Sequence, residues 1–232
     1  MIEVRWATER GITHLDWLKS YHSFSFGDYY DQNHMGFRSL RVINEDRVTA
    51  GSGFPFHSHK DMEIITYVLA GALEHKDSLG NGSVIRSGDM QRMTAGSGIT
   101  HSEFNPSKEE QVHFLQIWII PNEKNLAPSY EQKSLELPKQ MNNLSLAVAP
   151  TRGEAPLSIH QDARIYVGKF MPHQKIKHQI GPGRNAWLQV GEGAVRTNGH
   201  ALMSGDGAAI SGQTEIEFET DAISQILLFD LL

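Results

Sequence analysis

The sequence contains no cysteine. Disulfide frameworks, thiolate zinc sites, iron–sulfur clusters and cysteine nucleophiles are therefore excluded. A basic excess is also missing: Lys and Arg number 21 against 27 Asp and Glu, a formal net charge of −6. Nucleic-acid binders show a basic patch or stripe, so neither direct nucleic-acid contact nor docking on an anionic membrane is expected. Long hydrophobic runs are absent too. The greasiest segments, near Ile117–Ile120 and Ile226–Phe229, fall well short of the roughly 18 apolar residues of a membrane helix and suit buried strands. Glu3 and Arg5 interrupt the N-terminus, which argues against a secretory signal. Together these features predict a soluble, cytoplasmic protein. No Gly-x-Ser-x-Gly elbow or Gly-x4-Gly-Lys-Ser/Thr loop occurs, so Ser-His-Asp hydrolysis and a phosphate cradle have no support.

What is present is glycine, 21 residues of it in 232, punctuating short segments rich in β-branched and aromatic side chains. Leu40–Ile43, Glu63–Leu69, Val112–Ile120, Arg164–Phe170, Ala186–Val190 and Ile223–Leu231 read as strands. Glu63–Leu69 is too apolar for a surface strand and reads as buried on both faces. Short strands with frequent glycine turns indicate an all-β sandwich or barrel. Met1–Ser20 is expected to hold a strand and a short helical turn around His14–Lys19. Pro121–Gln140, polar and carrying three prolines, reads as a linker. Each flanking half ends in an apolar strand and has a strand running into a glycine turn. This pattern predicts two copies of one β fold, over residues 1–125 and 126–232.

Histidine is the informative residue. His57 and His59 are two apart, so in a strand their rings share a face, a parity that Asp61 and Glu63 continue. His101 and Glu103 repeat the spacing some forty residues on. Twelve histidines give about 0.6 His-x-His pairs by chance, so the first pair alone discriminates weakly. The second cluster and the glycine turns before both strengthen the case. Two such strands facing each other present three imidazoles and a carboxylate, supplied by Glu63 or Glu103, to one divalent cation. The donor set resembles the facial arrangement of oxygen-activating iron sites; zinc, copper, nickel, cobalt, manganese and cadmium also accept it.

These residues carry a resemblance. Gly51-x5-His57-x-His59-x3-Glu63, closing on Gly71, resembles the first cupin motif, and Gly88–Asn105 with His101-x3-Asn105 resembles the second. The flanking segments WLKSYHSFSFGDYYD, MGFRSLRVINED, HSHKDMEIITYVLAG, AGSGITHSEFNP and LQIWIIP together resemble the pirin family, a bicupin group. The likeness is dense in the first half and loose in the second. Seven residues separate Glu63 from Gly71, one more than cupins usually have, and Thr94 stands where their second motif usually has proline. Both are pirin-like features. The resemblance implies two cupin (double-stranded β-helix, jelly-roll) barrels with few short helices. It also implies a metal held by His57, His59, His101 and Glu103, leaving Glu63 in the wall.

Of the other nine histidines most read as surface or satisfied core residues; His113 sits in a strand expected to pack in the first barrel. His173 and His178 fall where the second half would carry a metal pair, but their spacing of five puts them on opposite faces of a strand. The second barrel is thus expected to lack a metal. Tyr130 and Phe24–Tyr30 read as packing residues, some at a pocket mouth, and Phe54, Phe56 and Met62 as core or an apolar wall. The resemblance implies a dioxygenase that opens the heterocyclic ring of quercetin-like flavonols with dioxygen and releases carbon monoxide, Glu103 assisting removal of the 3-hydroxyl proton. Other pirins imply an alternative, a non-catalytic metal-binding regulator acting through protein partners.

Overall fold

The computed structural model describes residues 1–232, apart from the side chain of Pro138. The chain opens with β1 (Ile2–Arg5), a 3-10 turn at Ala7–Glu9, β2 (Gly11–His14) and β3 (Leu18–His22). There follow β4 (Leu40–Val48), β5 (Gly53–His59), β6 (Glu63–Ala70), β7 (Ala72–Asp77) and β8 (Gly82–Arg86). Next come β9 (Asp89–Thr94), β10 (Ile99–Phe104), β11 (Val112–Ile119) and β12 (Ser129–Ser134). A second 3-10 turn at Leu137–Gln140 leads to β13 (Ser145–Ala149), β14 (Leu157–Ser158), β15 (Ala163–Phe170), β16 (Lys175–Gln179) and β17 (Asn185–Glu192). The chain closes with β18 (Ala194–Thr197), β19 (His200–Met203), β20 (Gly207–Ile210), β21 (Glu215–Thr220) and β22 (Ser224–Leu231). Among the described residues no helix is long and apolar enough to cross a membrane.

Two units result, one of residues 11–135 with 157–161 and the other of residues 1–10, 136–156 and 162–232. In the first unit a large sheet, ordered β12-β9-β6-β11-β4-β3-β2, accompanies a small one, β5-β10-β7-β8. The second unit repeats the plan, with β20-β17-β22-β15 within its large sheet and β16-β21-β18-β19 as its small one. Adding eleven to each strand number from β4 to β11 converts the first order into the second. The segment pattern predicts two copies of one β fold, and the resemblance implies the two-barrel jelly-roll architecture seen here. The glycine turns repeat as well: Gly71 after β6 and Gly193 after β17 have φ +79° and +85°, a region that side chains other than glycine rarely adopt.

Strand composition explains burial. Every residue of β6 but the last is buried, as its unbroken apolar run requires. The first core gathers Val48, Val68, Leu73, Ile85, Val112 and Phe114. At about 25 cal/mol per Å² of apolar surface, such side chains supply the main drive for closing the sheets on each other. The second core is filled by Phe170, Leu188, Val190, Ile216, Phe218 and Ile226, with Phe170 and Phe218 edge-to-face at 5.9 Å.

Three local features differ from the sequence reading. His14–Lys19 is a tight hairpin, Leu15 and Leu18 exchanging backbone hydrogen bonds of 2.8 and 3.3 Å, and the helical turn lies earlier, at Ala7–Glu9. The polar linker contains β12, an edge strand paired with β9; with no apolar face it shows no period-2 hydrophobic signal. The first unit therefore runs to Leu135, and β1 pairs with β20 in the second unit.

Candidate metal centre

Three of the four sequence-selected residues converge. The ligand atoms of His57, His59 and His101 lie within 4.8 Å of one another. Their ring centroids are 4.7 Å apart for His57–His59, 4.5 Å for His57–His101 and 4.9 Å for His59–His101. β5 and β10 run antiparallel, with His101 opposite His57 and Ile99 opposite His59. Gly53 permits this approach: a Cβ there would lie 2.2 Å from the Glu103 carbonyl oxygen. The pairing slips between His101 and Glu103, where Phe54 to His57 span three steps of β5 against two of β10. Pro55 stands inside this bulge, where no ladder donor is needed.

Glu103 is placed through a second set. Its carboxylate, His75 and His101 also hold ligand atoms within 4.8 Å of one another, but Glu103 does not join the three-imidazole set at that spacing. Gln91 Nε2 donates to Glu103 Oε1 at 2.9 Å and Gln116 Nε2 to Oε2 at 2.8 Å. Thr66 Oγ1 lies 3.2 Å from Oε1 and donates to Gln116 Oε1 at 2.7 Å. Both carboxylate oxygens are thus oriented by amide donors.

Glu63 stands elsewhere. Asp61, at φ +49°, ends β5's course and starts β6, so the strand parity from His57 does not carry through. Thr66 faces Glu103 while Glu63, three residues away in β6, points to the opposite side, bound by Thr94 Oγ1 at 3.0 Å and by His160 Nδ1 at 3.0 Å. Burial lifts its carboxyl above the usual range, against the opposing Arg92 charge and these hydrogen bonds.

The protonation pattern suits a cation. His57 Nδ1 lies 2.8 Å from the Pro55 carbonyl, which only accepts, so in the neutral ring Nδ1 carries the proton and the lone pair is on Nε2. Asp77 accepts from the Leu79 and Asn81 amides at 2.9 and 3.1 Å and from the Asn81 side chain at 2.9 Å. Burial opposes, but these bonds and the one from His75 hold its carboxyl below the usual range. His75 Nε2, 3.1 Å from Asp77 Oδ2, therefore carries a proton, and His75 Nδ1 accepts from His101 Nδ1 at 3.5 Å. His101 Nε2, buried and without a hydrogen-bond partner among the described residues, is left with a free lone pair. Tyr130 stacks on His75 at 4.6 Å. Burial, then the neighbouring His57 and His75, lowers His101 to about 3. Burial, then His101 and His57, lowers His59 to about 4. Neutral rings with free lone pairs are what a divalent transition metal needs, and an orphaned buried nitrogen is the mark such an ion would explain.

Beside the imidazoles lies a cavity of about 470 Å³ in the first unit. Its apolar wall includes Leu18, Phe26, Phe54 and Trp118, and its polar wall Ser20, His22, Asn44, Asp46 and Gln116, with His57, His59 and Glu103 at one side. Phe54 is thus a wall residue, Phe56 is 65% exposed, and Met62 packs on Ile64 and Met93. His113 bonds Glu45 at 2.9 Å, a buried structural pair. His75, Asp77, Gln91, Gln116 and Asp46 were not singled out in the sequence. For Gln116 the signal is a polar residue at an inward position of an otherwise apolar strand, β11; the mostly polar β7, which holds His75 and Asp77, offers no such contrast.

Both candidate ligand sets belong to the first unit; among the described residues the second unit gathers none. On the inward face of β21, where β10 carries His101 and Glu103, stand the fully buried Ile216 and Phe218. His173 sits in the turn before β16, at φ +63°, rather than in the strand with His178.

A family model described as Pirin matches residues 4–119, and one described as quercetinase C-terminal cupin domain matches residues 146–231. A protein of Escherichia coli strain K12 named quercetin 2,3-dioxygenase is 45% identical over 100% of this chain and 99% of its own. The crystal structure of YhhW from Escherichia coli superposes with a TM-score of 0.96 at 45% identity, covering 100% of this chain and 98% of that one. The structure of the bacterial pirin YhhW in complex with nickel(II) gives 0.94 at 45% identity, over 100% and 99%.

Proposed function

Because this chain belongs to the pirin family, we propose that it is a metal-dependent dioxygenase that opens the heterocyclic ring of quercetin-like flavonols with dioxygen and releases carbon monoxide. The observation that carries this reading is the convergence of His57, His59 and His101 at the side of an aromatic-walled cavity. The full-length likeness to the Escherichia coli quercetin 2,3-dioxygenase supports it.

We assign His57, His59, His101 and Glu103 as the ligands of one divalent transition metal. Iron is our assignment, on the precedent of facial histidine–carboxylate sites; the same donors also take nickel, copper, cobalt, manganese, zinc and cadmium. Such an ion supplies Lewis acidity and, where redox-active, electron exchange with dioxygen. The protein's part is positional. The Pro55 carbonyl and the Asp77–His75 pair hold His57 and His101 in their ligating tautomers. Gln91 and Gln116 aim the Glu103 carboxylate, to which we also assign acceptance of the 3-hydroxyl proton. Leu18, Phe26, Phe54 and Trp118 offer an apolar wall, Phe26 and Trp118 meeting edge-to-face at 5.3 Å, that keeps water from the aromatic ligand. The second barrel, plugged by Ile216 and Phe218, is structural, and one metal binds per chain.

Purified protein loaded with each metal in turn is mixed with quercetin, and the flavonol absorbance is followed with oxygen uptake. Turnover that disappears in His57→Ala is expected. Tight metal binding without turnover for any ion would overturn the dioxygenase reading in favour of a non-catalytic regulator that acts on protein partners.

A further inference from the structure

Most of the cavity's polar wall is already satisfied. His22 Nδ1 lies 2.7 Å from Asn44 Oδ1 and its Nε2 2.8 Å from Thr13 Oγ1, while Gln116 is spent on Glu103 and Thr66. Two buried polar atoms on wall residues have no partner among the described residues, Asp46 Oδ1 and Trp118 Nε1. Asp46 is the unusual one. A carboxyl 4% exposed is normally paired, because leaving a buried acceptor unmade is costly. Its neighbour Glu45, on the other face of β4, follows that rule, reached by His113 Nε2 at 2.9 Å and Arg47 Nη2 at 3.0 Å. No cation reaches Asp46 among the described residues; Ser20 gives it one hydrogen bond. Burial pushes its carboxyl up to about 7, against that bond and with the Glu103 and Glu45 charges adding to the rise. Asp46 shares its cavity with Glu103, His57 and His59.

We propose that Asp46 selects the ligand, its unpartnered carboxyl oxygen hydrogen-bonding a phenolic hydroxyl of a flat aromatic ring lodged in the cavity. The ligand class is then a polyhydroxylated aromatic whose ring packs among Phe26, Phe54 and Trp118 and whose hydroxyl reaches Asp46, rather than any planar apolar molecule of that size. A site built to bond a hydroxyl rejects an analogue lacking it, because the buried partner is left unmade. This inference rests on the flavonol reading of the cavity.

Binding of quercetin and of analogues lacking one ring hydroxyl each is measured on the metal-loaded full chain without oxygen, for wild type, Asp46→Asn and Asp46→Leu. In wild type, loss of one particular hydroxyl is expected to weaken binding about tenfold. The same loss is expected to cost less than about twofold in Asp46→Leu, and to stay within about threefold of wild type in Asp46→Asn, which keeps a hydrogen-bonding group of the same shape. A wild-type protein indifferent to every hydroxyl overturns the inference, whether or not either variant folds. So does an identical hydroxyl dependence in wild type and Asp46→Leu. A selective hydroxyl effect that Asp46→Leu abolishes, in a protein with no turnover, upholds Asp46 while removing the dioxygenase reading.

Discussion

His101 and His75 meet through their Nδ1 atoms at 3.5 Å, and behind them His75 Nε2 meets Asp77 Oδ2 at 3.1 Å. The chain Asp77–His75–His101 runs from a carboxylate pinned by turn amides to a lone pair with no partner among the described residues. Outer partners of this kind set the tautomer and orientation of a ligating imidazole.

Asp77→Asn is therefore expected to weaken metal binding about 10–100-fold while leaving the barrel folded. Competition with a chelating dye reads the affinity, and circular dichroism the fold. Equal affinities in variant and wild type would show that the relay does not orient His101.

His59→Ala and His101→Ala are each expected to weaken metal binding and lower its content below one per chain, since each removes one of four assigned donors whose positions the pairing of β5 and β10 fixes. Elemental analysis after dialysis checks this. A wild-type content near two per chain would contradict the assignment of the second barrel as structural.

Asp46 carries a pH signature. Its folded value, about 7, exceeds its ordinary 3.8, so between those limits the folded chain holds a proton that the unfolded chain has released. Its stabilising share is complete below about pH 4 and disappears as pH rises through 7. Asp46→Asn is expected to gain on wild type across that window, by at most about 4 kcal/mol at pH 8. Urea unfolding at pH 4, 6 and 8 measures the gap; a gap that does not widen with pH refutes the assignment.

Gly53→Ala tests the close approach of β5 and β10. A Cβ 2.2 Å from the Glu103 carbonyl oxygen and 2.5 Å from the Phe104 Cα cannot be accommodated without moving a strand. A loss of about 1–3 kcal/mol is expected, together with weaker metal binding, because His57 and His101 lie on the displaced pair. Chemical denaturation and the same dye competition check the two effects, and unchanged values for both would place the strain elsewhere.

Much of this molecule was decided by local pattern. Apolar runs such as Glu63–Leu69 and Val112–Ile119 are short and rich in β-branched and aromatic side chains, which favours buried strands over helices. Glycines between them had to be turns, and His57-x-His59 had to present two rings to one side. What local pattern could not decide is wherever one strand's place depends on another. The polar segment Ser129–Ser134 became a strand because β9 offered it an open edge, and β1 joined the second unit because β20 did. Glu63 left the histidines because the Asp61 turn sent β6 into a different sheet from β5. Above all, His75, Asp77, Gln91, Gln116 and Asp46 took on their roles only when the sheets closed. A buried polar atom is satisfied, or left waiting for a ligand, by neighbours distant in the chain, and spacing along one strand carries no record of them.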